Sequence, residues 1–517
     1  MSAARFLTVL AMLLLAACDM GAAEEEGEFI RVTHVADEGL DPSPVDERER
    51  FAMAASHIGL TAYAPDGRII PGLATSWRVL DDGRSYVFKL REANWPDGRR
   101  ITAGDVVAVL RRQIAPGGDS PWREYLLDIE GAAAVAANRA PPRMLLIDDP
   151  RDDVVTIELS QQNPNLLGLL AQPSLAVVRS REEEPPPSGA YRVQMDEGEI
   201  RALSPNFAYF GRDEDDENAG VETILLEPDS DANAAIDAFL AGETDMVLGG
   251  TVDGLNRVRA DELLPAARFS SSWGIYGYLT RTTGNSPLAD ARVRRALAMA
   301  IDRDALIRGV FALQGLEAAY GPLPPTLPPA YAGAVPDWAV WSLEARRAEA
   351  ARLLSEAGYG PENPLELSAA LPRGDTHRRL LATVADQWSG LGISIRAYQR
   401  RPDAHRRAVE DGEFDIAAYE RLSPVPVAGY FLDPFRCEQR LGGYCEPEAD
   451  TLLGQAEAAL DLGTRIDRTR RAARLLADDA GLIPLFSPAR WALVRPGIEG
   501  FEENIAGMHP PRFFDIP

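Results

Sequence analysis

The stretch from residue 71 to residue 106 constrains the fold of this chain more than any other. Asp-Gly pairs at 82–83 and 97–98 supply the positive φ that tight turns need. Between them the run Tyr86-Val87-Phe88-Lys89-Leu90 alternates apolar with polar or smaller residues, a period of two that predicts a strand buried on one face. Thr102 with Asp105 three residues later predicts a capping box that opens a helix. The expected order is strand, turn, strand, turn, helix.

This ordered combination resembles the extracytoplasmic solute-binding proteins of peptide, nickel and related ABC importers. Five parts of that family's pattern stand here in order: Leu73-Ala74-Thr75-Ser76-Trp77, Asp82-Gly83, Tyr86-Val87-Phe88-Lys89-Leu90-Arg91, Trp95-Pro96-Asp97-Gly98 and Thr102-Ala103-Gly104-Asp105-Val106. Further motifs of the family follow at Gly242-Glu243-Thr244-Asp245, at Ala300-Ile301-Asp302-Arg303 and at Ala351-Arg352-Leu353-Leu354. The resemblance therefore extends over nearly the whole mature chain.

The resemblance implies an α/β fold, a periplasmic-binding-protein-like (type II, cluster C) two-lobed clamshell with an extra subdomain. A chain of 517 residues also exceeds what a single core usually serves. We expect lobe I to be built from residues 29–60, 188–269 and 481–517. The extra subdomain of lobe I is expected at 61–187, and lobe II at 270–480.

The N-terminus indicates export and a lipid anchor. Arg5 precedes an apolar run, 6–17, that is too short to cross a bilayer, so residues 1–17 are expected to be a signal peptide. The run ends Leu15-Ala16-Ala17-Cys18, which resembles the bacterial lipobox and implies cleavage before Cys18 and its lipidation. An ordinary cleavage site with an incidental cysteine is the alternative. Asp19 resembles an inner-membrane retention signal, and residues 18–28 are expected to form a flexible tether.

Two cysteines remain, Cys437 and Cys445. Export permits a disulfide between them, and so short a loop would contribute about 2.5 kcal/mol in the chain-entropy model. A zinc pair is the alternative, although no histidine stands near either cysteine in the sequence.

Charge and motifs argue against nucleic-acid binding and against enzymatic chemistry. The formal net charge is -26, and no basic stripe offsets the repulsion of phosphates. The sequence contains no Gly-x-Ser-x-Gly elbow, no Walker loop and no His-Glu-x-x-His, and its five histidines are scattered. The acidic run Asp213–Glu217 lacks the glycine and glutamate of an EF-hand, which favours a solvated loop. We expect no catalytic residues, metal or cofactor.

The resemblance implies instead that the chain captures a solute by hinge closure and delivers it to an ABC permease and ATPase in the periplasm, as a monomer attached to the inner membrane. Peptide-binding members of the family carry Trp-x-x-Asp-Tyr-x-x-Pro after a Phe-Asp strand, and that Asp pairs with the peptide's amino group. Here Phe414-Asp415-Ile416 is present, but residues 419–430 lack that Asp. A buried ammonium without a counter-charge would be costly, so a small amphipathic or modified solute is expected.

Glu420 or Asp433 could replace the missing carboxylate, or both could be surface acids. For the pocket wall we select residues that combine aromatic surface with a few polar groups: Trp273, Tyr276, Arg421, Ser423 and Tyr430. The alternative for Trp273 and Tyr276 is a place in the core of a strand that crosses between lobes. The alternative function is a membrane-anchored receptor or chaperone-like lipoprotein without a role in transport.

Overall fold

The computed structural model describes residues 29–41, 46–118, 120–179, 185–211, 221–260, 262–311 and 316–516. The expected signal peptide, Cys18 and the tether lie outside these residues, as does the acidic run Asp213–Glu217. Within the described ranges, no helix combines the length and apolarity needed to cross a membrane.

The described strands are β1 (Phe29–His34), β2 (Thr61–Tyr63), β3 (Ile69–Pro71), β4 (Ala74–Leu80), β5 (Ser85–Leu90), β6 (Ile147–Arg151), β7 (Val154–Glu158), β8 (Tyr191–Asp196), β9 (Glu199–Pro205), β10 (Thr223–Leu226), β11 (Met246–Gly250), β12 (Ala267–Ser271), β13 (Trp273–Thr280), β14 (Glu317–Ala318), β15 (Leu365–Pro372), β16 (Ile393–Arg400), β17 (Ile416–Ser423), β18 (Leu482–Ser487) and β19 (Ala489–Val494).

The described α-helices are α1 (Glu47–Ser56), α2 (Ala103–Ile114), α3 (Ala132–Ala136), α4 (Leu166–Leu169), α5 (Ala232–Ala241), α6 (Ala291–Ala300), α7 (Arg303–Phe311), α8 (Leu343–Glu356), α9 (Asp375–Ser389), α10 (Pro402–Glu410), α11 (Ala428–Leu432), α12 (Pro447–Glu457) and α13 (Leu462–Asp479).

The stretch from residue 71 to residue 106 contributes β4 and β5 to a four-stranded sheet of order β4-β5-β7-β6. In β5 the side chains of Tyr86, Phe88 and Leu90 are buried and alternate with more exposed ones, which confirms the predicted strand. At the start of α2 the carboxylate of Asp105 accepts hydrogen bonds from the backbone N–H of Thr102 at 2.8 Å and from its hydroxyl at 2.9 Å. The predicted helix start is therefore confirmed as well.

A seven-stranded sheet has the order β12-β19-β11-β1-β10-β9-β8. Its inner strand β1 is parallel to β10 and β11, whereas β19 is antiparallel to β11 and β12. These strands come from three separate stretches of the chain, so this sheet forms only when the N-terminal, middle and C-terminal parts meet. Ile30 and Val32 are fully buried in β1, as an inner strand requires.

A six-stranded sheet has the order β14-β18-β13-β17-β15-β16. Its strand β13 is antiparallel to both β17 and β18. All six residues of β18 are buried, and their pairing with β13 holds them in this sheet. The chain passes from this sheet to the seven-stranded sheet at Pro488.

Two connections between the large sheets run side by side. The chain passes from β12 to β13 at Ser272 and from β18 to β19 at Pro488, and the flanking strands pair with each other in both sheets. The Ser272 hydroxyl donates a hydrogen bond to the Pro488 carbonyl, and the Ser487 hydroxyl donates one to the Ser272 carbonyl at 3.1 Å. The two sheets are thus joined by a short antiparallel pair of strands.

Cys437 and Cys445 form a disulfide. The bond lies shortly before α12 and closes a loop with a sequence separation of 8.

Arg303, the last residue of the family motif at 300–303, is fully buried at the start of α7. Its guanidinium donates to the carbonyl of Pro484 in β18 at 2.8 Å and to that of Ala298 in α6 at 3.0 Å. It therefore ties the end of one helix to the six-stranded sheet.

We expect Arg303→Met to lower the free energy of unfolding by about 2–4 kcal/mol, because buried carbonyl oxygens would lose their donors. Thermal or urea denaturation measures the effect. Arg308→Met, an exposed position on the same helix, serves as the matched control and should change stability by less than about 0.5 kcal/mol. Equal effects of the two substitutions would contradict the structural role of Arg303.

Candidate functional site

A cleft of about 860 Å³, its open mouth included, lies where the seven-stranded sheet faces the six-stranded sheet. One wall consists of the segment after β1, the start of α1, the end of β11 and one residue of β19. The other wall comes from β17 and α11, through Glu420, Leu422 and Tyr430. A molecule held in this cleft would contact both sheets at once.

Side chains alternate along β17, and this alternation decides which of them face the cleft. Glu420 and Leu422 line it, whereas Arg421 and Ser423 are not among its lining residues. The register places Tyr276 of β13 opposite Glu420, and Trp273 opposite Ser423.

The five residues selected from the sequence have different environments. Tyr430 lines the cleft. Arg421 borders it: its guanidinium lies 3.9 Å from the centre of the Tyr430 ring and donates to both carboxylate oxygens of Asp41, at 2.9 and 3.0 Å. The structure therefore places Arg421 in an internal ion pair that joins β17 to the segment after β1.

The remaining selected residues are not brought to the cleft wall. Ser423 is fully buried, and its hydroxyl donates to the carbonyl of Val425 at 2.5 Å within the turn after β17. Trp273 is half-buried and packs beside a small apolar cluster that includes Met508. Tyr276 is fully buried, with its ring stacked on Phe486, as in the core alternative that the sequence left open.

Tyr276 nevertheless supports the cleft from behind. Its hydroxyl shares a hydrogen bond with Nδ1 of His377 at 2.9 Å, and Nε2 of His377 bonds the Glu38 carboxylate at 2.7 Å. Burial lowers the pKa of His377, but the charge and hydrogen bond of Glu38 more than offset this and leave the pKa above its ordinary value. Sequence reasoning missed Glu38 and His377, which lie 339 positions apart.

Glu420 is the most perturbed acid of the cleft. It is 4% exposed, and its Oε2 accepts a hydrogen bond from the Thr251 hydroxyl at 3.1 Å. Its Oε1 is buried and accepts no hydrogen bond from any residue that the structure describes. Burial, and then the like charge of nearby Glu38, raises the pKa of the Glu420 carboxyl to about 8.

Asp433, the other acid considered from the sequence, lies elsewhere. Its carboxylate accepts from the Tyr125 hydroxyl at 2.6 Å and from Arg436 at 3.0 Å. It lines a second cavity of about 1270 Å³ between the segment 124–169 and helices α11 to α13. Of the two acids, Glu420 is therefore the one that faces the cleft between the large sheets.

Most of the other charges around the cleft are paired. The carboxylates of four acids have arginine partners, in the pairs Asp41–Arg421, Asp229–Arg48, Glu47–Arg490 and Asp37–Arg406. Glu38 pairs with His377, and Glu420 forms no ion pair within the described residues. In the same part of the chain, no group of three or more His, Cys, Asp or Glu side chains is arranged to hold a metal ion.

We expect Asp41→Asn to lower the free energy of unfolding by about 3 kcal/mol, because the largely buried Arg421 would keep its charge without a partner. The double variant Asp41→Asn with Arg421→Met should recover part of the loss, since it removes both charges. Urea denaturation measures both. Glu356→Gln, which breaks an exposed pair with Arg352, is the control and should cost less than about 0.5 kcal/mol. A loss for Asp41→Asn as small as the control's would contradict the role of the pair.

Comparison with known proteins agrees with this architecture. The family of bacterial extracellular solute-binding proteins, family 5 (middle region), matches residues 68–442. The chain is 27% identical to the periplasmic murein peptide-binding protein MppA of Escherichia coli over 504 residues, which cover 93% of this chain and 91% of that protein. It is 26% identical to the probable deoxycholate-binding periplasmic protein YgiS of the same organism over 502 residues, or 92% of this chain and 90% of that protein.

Solved structures share the fold over almost the full length. The complex of Haemophilus influenzae OppA with the peptide RPPGFSPFR has a TM-score of 0.78 at 22% identity, covering 95% of this chain and 100% of that chain. The unliganded open form of MppA has a TM-score of 0.64 at 24% identity, covering 95% of this chain and 98% of that chain. The fold is therefore the α/β, two-lobed fold of periplasmic binding proteins, and the chain belongs to the bacterial extracellular solute-binding proteins of family 5.

Proposed function

We propose that this chain is the solute-binding component of an ABC importer, and that it captures a small solute between two lobes by hinge closure and delivers it to a membrane permease. The observation that carries the proposal is the cleft itself, whose walls come from two different sheets. A solute bound there stabilises the closed arrangement by its contacts with both walls, to the extent that it prefers that arrangement to the open one.

The paired connections at Ser272 and Pro488 support the hinge. The strands on either side of each connection stay paired within their own sheets, so a change of backbone angles at the connections moves the sheets as rigid bodies. The relative MppA has an unliganded open form. We assign 29–60, 188–269 and the C-terminal segment that includes β19 to lobe I, 61–187 to its extra subdomain, and 270–480 with β18 to lobe II.

The proposed solute is small, and peptide-like, modified or amphipathic. Two relatives differ in what they are named for, a murein peptide in one case and deoxycholate in the other. In this chain residues 419–430 lack the aspartate that peptide-binding members carry, and Arg421 is engaged by Asp41. Both features favour a ligand other than a generic oligopeptide. We further infer that the chain performs no bond-making, since the family consists of solute-binding proteins.

We also propose that the mature chain is a monomer held at the periplasmic face of the inner membrane by lipid on Cys18. The support is the Leu15-Ala16-Ala17-Cys18 sequence with Asp19 after it. Each buried acyl methylene contributes about 0.8 kcal/mol, so two or more chains suffice for stable attachment.

Hinge closure is tested with a steric block at Gly39, which lies on the segment after β1. A Cβ atom at this position would lie 2.3 Å from the carbonyl oxygen of Pro402 in α10, a helix that packs on the six-stranded sheet. We expect Gly39→Val to hold the lobes apart and to weaken binding of the co-purifying solute by about 100-fold. Mass spectrometry of the protein from its native host identifies that solute, and small-angle scattering reports closure.

The matched control is Gly98→Val. Gly98 also has a positive φ, of +84°, but a Cβ atom there meets nothing within 4 Å. This variant should bind and close like the wild type. If Gly39→Val closed around the solute as the wild type does, the hinge proposal would be wrong.

Membrane attachment is tested by fractionation. We expect Cys18→Ser to move the protein from the membrane fraction to the soluble fraction, because no thiol remains to carry lipid. Asp19→Ser should stay membrane-bound but leave the inner membrane. Unchanged attachment of Cys18→Ser would refute the anchor while leaving solute capture untouched.

A further inference from the structure

Three acids that line the cleft have no arginine partner within the described residues: Glu38, Asp46 and Glu420. Asp46 is exposed and caps α1 by accepting a hydrogen bond from the backbone N–H of Glu49 at 2.8 Å, which leaves Glu38 and Glu420. Glu38 lies on the segment after β1, on the side of the seven-stranded sheet, and Glu420 lies on β17 of the six-stranded sheet. Both line the cleft, and burial, followed by the like charge of Glu38, raises the pKa of the Glu420 carboxyl. The closed arrangement therefore brings two carboxyl groups together from opposite lobes and makes Glu420 harder to ionise.

Their hydrogen bonds leave capacity for a ligand. An ionised carboxylate accepts several hydrogen bonds, yet Oε1 of Glu420 is buried and receives none from the described part of the chain. Leaving a buried acceptor unpaired is unfavourable, so a donor on the ligand would stabilise the bound state. Apolar surface from Leu40, Leu422 and Tyr430 lies in the same cleft.

We propose that Glu38 and Glu420 together bind a protonated amine or guanidinium group of the solute, and that this chain therefore captures cationic solutes. The inference rests on the proposed capture function and names the class of its ligand. A primary ammonium has three N–H donors and a guanidinium has five, so either group can serve both carboxylates. A cation between them offsets the repulsion that Glu38 exerts on an ionised Glu420, and both carboxylates then attract the cation.

Glu420 does not occupy the position at which peptide-binding members of the family carry their aspartate. Peptide-binding members carry their aspartate in the segment that follows the Phe-Asp strand, and residues 419–430 of this chain contain none. Glu420 instead lies within β17, opposite Tyr276 of β13. The other acids of the same wall are engaged elsewhere: Arg421 neutralises Asp41, Arg490 neutralises Glu47, and Asp46 caps α1.

Cation binding is coupled to proton release from Glu420. The charged and titratable groups around this side chain are Glu38 on the segment after β1, His377 on α9, Arg490 on β19 and Tyr276 on β13. Without a cation the pKa of Glu420 is about 8, so the group is largely protonated at pH 7. A bound cation favours the ionised form, and the affinity for a cation therefore rises with pH up to about 8.

The test uses matched probes with ligand-stripped protein: n-hexylamine against 1-hexanol, and n-butylguanidine against n-butylurea. Calorimetry should show that each cation binds the wild type at least 10-fold more tightly than its neutral partner, with proton release at pH 7. Glu420→Gln keeps the size and the Thr251 contact but removes the charge, and it should lose 10- to 100-fold in cation affinity and most of the proton release. Glu366→Gln makes the same change at an exposed position of β15 in the same sheet and should behave as the wild type.

Equal binding of cation and neutral partner, no binding of either cation, or full cation affinity in Glu420→Gln would each overturn the inference. Identifying the solute that co-purifies from the native host distinguishes a failure of cation selection from a failure of solute capture. A solute without a basic nitrogen, held equally by wild type and Glu420→Gln, would overturn cation selection and leave capture intact. No co-purifying solute, with no closure by any probe, would overturn both.

Discussion

The pair of strands that crosses between the large sheets is the constraint on which the cleft depends. Ser271 pairs with Ala489 in one sheet, and Tyr276 pairs with Phe486 in the other, so the two crossings share one antiparallel register. Hydrogen bonds between Ser272 and the 487–488 segment keep them together. In the proposed hinge closure, motion about this pair would preserve the ladders of both sheets, and the walls of the cleft would move as fixed surfaces.

In the proposed closure, charges across the cleft act in opposite directions. The pairs Asp41–Arg421 and Asp37–Arg406 join the two sides and would favour the closed arrangement. Glu38 and Glu420 approach from the same two sides, and the charge of Glu38 opposes the ionisation of Glu420. An empty closed state must also bury the unpaired oxygen of Glu420. Because these contributions oppose each other, the contacts of the ligand would determine whether the closed arrangement is favoured. A protein that must also release its solute requires such a dependence on the ligand.

Sequence reasoning succeeded where the information is local. The alternation in β5 and the capping box of α2 depend on residues a few positions apart, and the structure confirms both. The cleft depends on contacts between residues far apart in the sequence, such as Arg421 with Asp41, 380 positions away. No local pattern records such a contact, so Arg421 had the appearance of a ligand-binding residue although an internal carboxylate engages it.

The choice of wall residues on β17 shows a second limit. Arg421 and Ser423 share one face of the strand, and Glu420 and Leu422 share the other, so a strand prediction alone leaves two alternatives. The lining of the cleft, which includes Glu420 and Leu422 but neither Arg421 nor Ser423, shows which face turns to it. Tyr276, selected together with Arg421 and Ser423, lies instead on the face of Glu420. Its contact with the cleft is indirect and passes through His377 to Glu38.

The position of Glu420 has a consequence for the proposed hinge closure. In β13 its cross-strand partner Tyr276 lies four residues after the crossing at Ser272, and Tyr276 is linked through His377 to Glu38 on the other side of the cleft. A cation between Glu38 and Glu420 would therefore bind close to the axis of closure. Near the axis a small rotation changes the distance between the walls little, so the contact can form early in closure. The rest of the solute, farther out, then determines how far the lobes close.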